Sequence, residues 1–159
     1  MRPSASASLI RFLALSTLVL MAASARAADD GVVRVKSAFP MAETIARLKA
    51  DIATKGIRFF QELDQAQLAA DSGIGIRPST LLVFGNPPLG TQFVNAKPEA
   101  GLDWPVRVLV QQDGEGAVWA VYTDFAWIAR RHGIAGETAK PFETASGVIA
   151  SITASIQRP

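Results

Sequence analysis

The run Leu82-Val83-Phe84-Gly85-Asn86-Pro87-Pro88-Leu89-Gly90-Thr91 constrains the fold more than any other stretch of the chain. Thr80 to Phe84 is apolar without alternation, the pattern of a strand buried on both faces, and so of a central strand. Proline fixes φ and has no N–H to donate, so Pro87 and Pro88 must end any sheet ladder that reaches them. Asn86 is therefore delivered to a rigid corner by a buried strand. Its amide both donates and accepts hydrogen bonds, which suits a pre-ordered ligand contact. It equally suits an Asx-type turn in which the amide bonds its own backbone.

Residues 1–27 read as a cleaved signal peptide. Arg2 and Arg11 flank the apolar stretch Phe12 to Ala23, and Ala25-Arg26-Ala27 supplies a small-x-small cleavage site. That apolar stretch is shorter than the roughly 20 residues a membrane-spanning helix needs, so no stable insertion is expected after cleavage. The mature chain is expected to be periplasmic or secreted. Cleavage after Ala27 leaves 132 of 159 residues and removes three of the 16 basic side chains but none of the 14 acidic ones, so the net charge becomes −1. The basic pI of 9.3 belongs largely to the precursor and is no argument for nucleic acid as a partner. The chain has no cysteine, which excludes thiolate nucleophiles, thiolate metal sites and dithiol redox chemistry, and leaves stability to packing.

Along the mature chain, Val32 to Lys36 has the β-branched content of a first strand. Met41, Ile45, Leu48 and Ile52 lie on one face of a helix that Gly56 ends. Ile57 to Leu63 reads as a second strand, and Asp64 is placed to cap a short helix through Ala70. Beyond the prolines, Leu89 to Ala96 is expected to be helical, and Val106 to Val110 and Ala117 to Tyr122 form a hairpin about Asp113-Gly114-Glu115-Gly116. Asp124 caps a helix to His132, stopped by Gly133. Phe142, Ala145, Ile149, Ile152 and Ile156 then make a helical stripe of about two heptads, which docks on the domain or on a second subunit. The organisation expected is a domain over 28–134 followed by a linker and amphipathic helix over 135–159.

Phe39-Pro40-Met41-Ala42-Glu43-Thr44, Phe84-Gly85-Asn86-Pro87, Asp103-Trp104-Pro105-Val106-Arg107-Val108 and Arg131-His132-Gly133 follow one another in this order. The ordered set resembles the Domain of Unknown Function 302 family from about Val32 to Ile134. The resemblance implies a compact α+β single domain with a mixed β-sheet packed by helices, to which the C-terminal helix is added, and leaves a homodimer open. It implies no reaction. Another branch of that family carries cysteines at the places that here are Gly85 and Val106, so any thiol role there does not transfer.

Three residues stand out as ligand-binding candidates: Asn86, Tyr122 and His132. His132 is the only histidine, so an enzyme working through imidazole near neutral pH must use it as the general base. It also sits beside Arg130 and Arg131 at a helix end, where cations meet exposed carbonyls. No nucleophile-elbow Gly-x-Ser-x-Gly occurs. No metal site and no cofactor are expected, since His132 would have only carboxylates such as Asp103 or Asp124 as co-ligands, and a haem would lack a Cys-x-x-Cys-His attachment. Trp104, Trp119, Tyr122 and Trp127 line a ligand pocket or are ordinary core and sheet-face residues.

The sequence is thus compatible with three functions. The first is an exported binding or accessory module for an unknown small molecule, with its pocket between the Asn86 turn and the Tyr122 to His132 segment. The second is a small hydrolase or isomerase with His132 as base and Asn86 polarising a carbonyl, which requires the two to share a space. The third is a homo-oligomerising protein that pairs through the Phe142 to Ile156 stripe.

Overall fold

The computed structural model describes residues 30–158, and the expected signal segment lies outside the described residues. From Gly31 onward the elements are β1 (Val32–Lys36), α1 (Met41–Thr54), β2 (Arg58–Asp64), α2 (Gln65–Asp71), β3 (Ser79–Gly85) and α3 (Pro87–Ala96). A 3₁₀ turn over Pro98–Asp103 leads to β4 (Val106–Gln112), β5 (Val118–Thr123) and α4 (Phe125–Arg131), and a second over Gly136–Ala139 leads to α5 (Lys140–Ala154).

The α+β class and the C-terminal helix are as expected. The sheet is not mixed: its five strands run in the order β1-β5-β4-β3-β2 and every neighbouring pair is antiparallel. The reason lies in the β3–β4 connection. Helix α3 and the 3₁₀ turn bring the chain back to the end of the sheet it left, so Phe84 at the close of β3 faces Val106 at the opening of β4.

An antiparallel sheet commonly packs on one side only, and this one does. Leu82, Phe84, Val108, Val110, Val118 and Ala120 are buried beneath Leu48 and Ile52 of α1 and Ile149 and Ile152 of α5. Phe93 of α3 stacks on Phe142 of α5 at 4.1 Å between centroids and tilts against Phe125 of α4 at 5.7 Å. Leu81 and Val83, on the other face of β3, are only half-buried. The expectation of a strand covered on both faces is corrected accordingly, and the middle strand is β4 rather than β3.

The stripe on α5 faces inward. Phe142, Ile152 and Ile156 are 0 % exposed and Ala145 and Ile149 nearly so, which leaves none of this stripe for a second subunit. The helix is part of the core of the domain, not an appendage to it.

Local signals act where the sequence puts them. Gly56 has φ +65°, and the N–H groups of Gly56 and Ile57 donate to Ala53 and Ile52, closing α1 with a Schellman motif. Gly133 repeats the device at the end of α4, with Gly133 and Ile134 N–H donating to Arg130 and Ala129. Asp64 and Asp124 accept from Gln67 and Ala126 N–H and cap α2 and α4.

In the β4–β5 hairpin, the Asp113 carboxylate accepts from the Trp119 indole N–H at 2.8 Å and from the N–H groups of Glu115 and Ala117 at 2.9 Å. The Trp119 bond is the chief cause that holds this carboxyl below its ordinary value of 3.8. A carboxyl whose folded pKa is depressed adds stability above its unfolded pKa, and that contribution fades as pH falls through the folded value. Urea midpoints should therefore fall below about pH 4 in the wild type, and part of that fall should be absent in Asp113→Asn.

Candidate functional site

The family-like segments meet in space around Trp104. Its indole lies over Gly85 at the end of β3 and Gly90 in the first turns of α3, where a side chain at Gly90 would overlap the ring. A Cβ at Gly85 would stand 3.0 Å from the indole Nε1. The Phe60 ring meets Trp104 edge-on, at 6.3 Å and 84°. The two glycines of the Asn-Pro-Pro turn thus leave the slot that the indole fills. A residue larger than glycine at position 85 would press on that ring.

Asn86 is the N-cap of α3. Its Oδ1 accepts from Leu89 N–H at a long 3.4 Å, while its backbone carbonyl accepts from Leu89 and Gly90 N–H at 3.1 and 2.8 Å. Pro87 and Pro88 occupy the first two helical positions and have no N–H. No amide at this helix start is left to cradle an anion. The Asn86 side chain itself is exposed.

His132 caps the C-terminal end of α4 and is 7 % exposed at its side chain. Its Nε2 lies 2.7 Å from Oδ2 of Asp103, which is itself 8 % exposed, and Arg131 Nη1 donates to Oδ1 of the same carboxylate at 3.2 Å. Lys97 Nζ donates to the His132 carbonyl at 3.3 Å, satisfying one of the orphan acceptors of the helix end. Asp103 is the last residue of the 3₁₀ turn, so this clamp ties the segment that carries Trp104 to the end of α4.

Tyr122 points to the packed side of β5, where burial raises its phenol pKa and a hydrogen bond with Thr153 of α5 pulls the other way. Tyr122, Asp103, Arg107 and Thr123 border a space of about 30 Å³. That volume admits a single water. Asp103 therefore bonds His132 and also borders this small space with Tyr122.

Asn86 belongs elsewhere. It lines a groove of about 420 Å³ between the end of α1, the start of α3 and the middle of α5, with Lys55, Leu89, Thr144, Gly147 and Ser151 among its neighbours. Among the described residues, Asn86 lines this groove and His132 does not. The aromatic set disperses too: Trp119 turns to Asp113, Trp104 to the glycines, and Trp127 to Gly31 and to the Arg131 guanidinium at 5.7 Å. Among the described residues no group of three or more His, Asp or Glu is placed to hold a metal. Sequence reasoning missed the Asp103–His132 bond and Gly147. The first joins two of the family-like motifs, and the second is a lone glycine inside a helical stripe.

The model of the family described as Domain of unknown function DUF302 matches residues 33–152. The chain is 38 % identical over 129 residues to the fluoride-specific ion channel FluC 1 of Brucella suis biovar 1, a match over 79 % of this chain and 51 % of that protein. It is equally identical to the fluoride-specific ion channel FluC 2 of Brucella melitensis biotype 1, over 48 % of that protein. The chain thus spans about half the length of these curated relatives. The crystal structure of an uncharacterized conserved protein DUF302 from Bacillus stearothermophilus superposes with a TM-score of 0.72 at 16 % identity, covering 80 % of this chain and 98 % of that one. This likeness establishes the fold.

Two stability measurements check the junction. Gly90→Ala should cost about 1–3 kcal/mol, because the rigid indole must shift. Asp103→Ala should cost about 1–3 kcal/mol by leaving buried polar groups without a partner, and the double-mutant cycle with His132→Ala should return a positive coupling.

Proposed function

The chain belongs to the DUF302 family, which carries no assigned activity in its description, and on that premise we propose that it is an exported binding or accessory module that takes a small amphipathic molecule in the groove at Asn86. One observation carries the reading. Gly147 lies in the interior of α5, where glycine costs about 1 kcal/mol against alanine, and no contact among the described residues requires it. It has no positive φ, and a Cβ built there meets no atom within 4 Å. The missing side chain keeps the groove open, so the need for it lies in whatever enters.

The groove's size fits the reading, since small-molecule sites run to about 300–1,000 Å³. Ile57, Leu89 and Val148 supply apolar walls, and the Asn86 amide, the Thr144 and Ser151 hydroxyls and Lys55, paired with Asp51 at 2.7 Å, supply polar edges. The relatives named as fluoride-specific ion channels give a second support. No helix among the described residues is long and apolar enough to cross a membrane, and an α-helical ion path needs such helices. On this reading the half that the channels share with this chain serves them as an accessory domain.

Native mass spectrometry on the chain purified from its own cells tests the proposal. The wild type should carry a small mass that denaturation releases. Gly147→Trp, which fills the groove from an unobstructed position, should fold and lose that mass, and Asn86→Ala should retain less of it. A Gly147→Trp chain that carries the same mass at the same occupancy would overturn the assignment. Gly147→Ala should raise stability by about 0.5–1 kcal/mol, measured by urea unfolding of ligand-free protein.

A further inference from the structure

Opposite α1 and α5, the sheet presents a face that no helix core among the described residues covers. Arg34, Val121, Leu109, Leu81 and Leu63 stand side by side in one row across all five strands. Beside it runs the row Lys36, Trp119, Gln111 and Ser79, and on its other flank Val83 pairs with Arg107. The apolar members of these rows are half-buried and are not among the residues packed on the core.

A wall borders the face at its Ser79 end. Ser79 Oγ donates to Gln65 Oε1 of α2 at 2.7 Å, so α2 reaches this side of the sheet. The segment that follows α2 lines, with Ile76 and Arg77, a concavity of about 660 Å³ over Ser79 and Gln111. Leu68, Ile74 and Ile76 are 55, 59 and 49 % exposed, which is high for large aliphatic side chains of one neighbourhood.

The ionisable strand positions in these rows are all basic, and the Asp113 carboxylate at the Trp119 end feels the charge of Lys36. Arg34, Lys36 and Arg107 are its exposed ionisable strand positions, Arg77 stands on the wall, and none of the strand positions in these rows is a carboxylate. Asp113, near the Trp119 end, already accepts from that indole and two backbone N–H groups. Lys36 lies over the Trp119 ring at 5.8 Å, and Arg107 donates to the Leu102 carbonyl at 2.9 Å. A two-fold pairing of this face with itself would bring the same cations together, which electrostatic complementarity disfavours.

We infer that this face docks an amphipathic segment of a partner protein whose apolar stripe is flanked by carboxylates. The leucine and valine row receives the stripe, Trp119 and the exposed isoleucines extend it, and Lys36, Arg77 and Arg107 select acidic flanks. The surface is separate from the Asn86 groove and stands whether or not that groove binds a ligand.

The test uses the full mature chain and two fluorescently labelled synthetic peptides, one of leucine and glutamate in helical period and one with lysine in place of each glutamate. Anisotropy should show the acidic peptide bound at least about ten-fold tighter than the basic one, with affinity falling as salt is added. The double variant Lys36→Glu and Arg107→Glu changes only exposed side chains and should reverse that preference. Equal binding of both peptides, or a preference that the charge reversal leaves unchanged, would overturn the inference. So would sedimentation of the chain alone as a dimer that Leu81→Glu dissociates, which would assign the face to a second copy. Tighter binding to phosphatidylglycerol vesicles than to the acidic peptide would also overturn it.

Discussion

The seat of Trp104 is the contact on which the rest of this domain depends. An indole is large and rigid, and here it is held where a strand ends, a helix begins and a 3₁₀ turn hands over to the next strand. Gly85 and Gly90 make the seat by having no side chains, and the double proline between them fixes the corner at which they face the ring. The next residue back, Asp103, is bound by His132 and Arg131, so the same few residues also anchor the end of α4. Because the turn returns the chain to the end of the sheet it left, this junction sets the antiparallel course of β4 as well.

The junction also explains what the family-like motifs are for. Asn-Pro-Pro, Asp-Trp-Pro and Arg-His-Gly lie far apart in sequence. In space they meet about Trp104 and Asp103, beside a cavity with room for a water, while Asn86 opens onto the groove. A buried, hydrogen-bonded carboxylate and imidazole at 2.7 Å is costly to leave half-made, which favours a structural part for both. Among the described residues the domain is more open in the groove beside Asn86 and on the sheet face opposite α1 and α5.

Much of this fold was legible because it rests on local chemistry. Glycine at 56 and 133, aspartate at 64 and 124 and the apolar periods of α1 and α5 each act within a few residues, and each formed its element as expected. Long-range facts were not legible in the same way. The unbroken apolar run of β3 pointed to burial on both faces, whereas Leu81 and Val83 lie in an open apolar face, and a strand's composition does not say what covers it. The α5 stripe did not reveal whether its partner was the same domain. Asp103 and His132 are separated by 29 positions, and neither residue names the other. Asn86 stands at the rigid corner that the two prolines imply, and its neighbours in the groove come from α1 and α5, which only the packing brings near.

We propose that the family-like junction is closed and that binding takes place in the groove at Asn86 and Gly147. This proposal is tested most directly by amide nuclear magnetic resonance on isotope-labelled chain purified from its own cells, recorded before and after unfolding and refolding free of small molecules. The amides expected to move on stripping are those of Lys55, Asn86, Leu89, Gly147 and Ser151, while those of Asp103, Tyr122 and His132 stay in place. Movement concentrated at Asp103, Tyr122 and His132, with the groove amides unmoved, would contradict it.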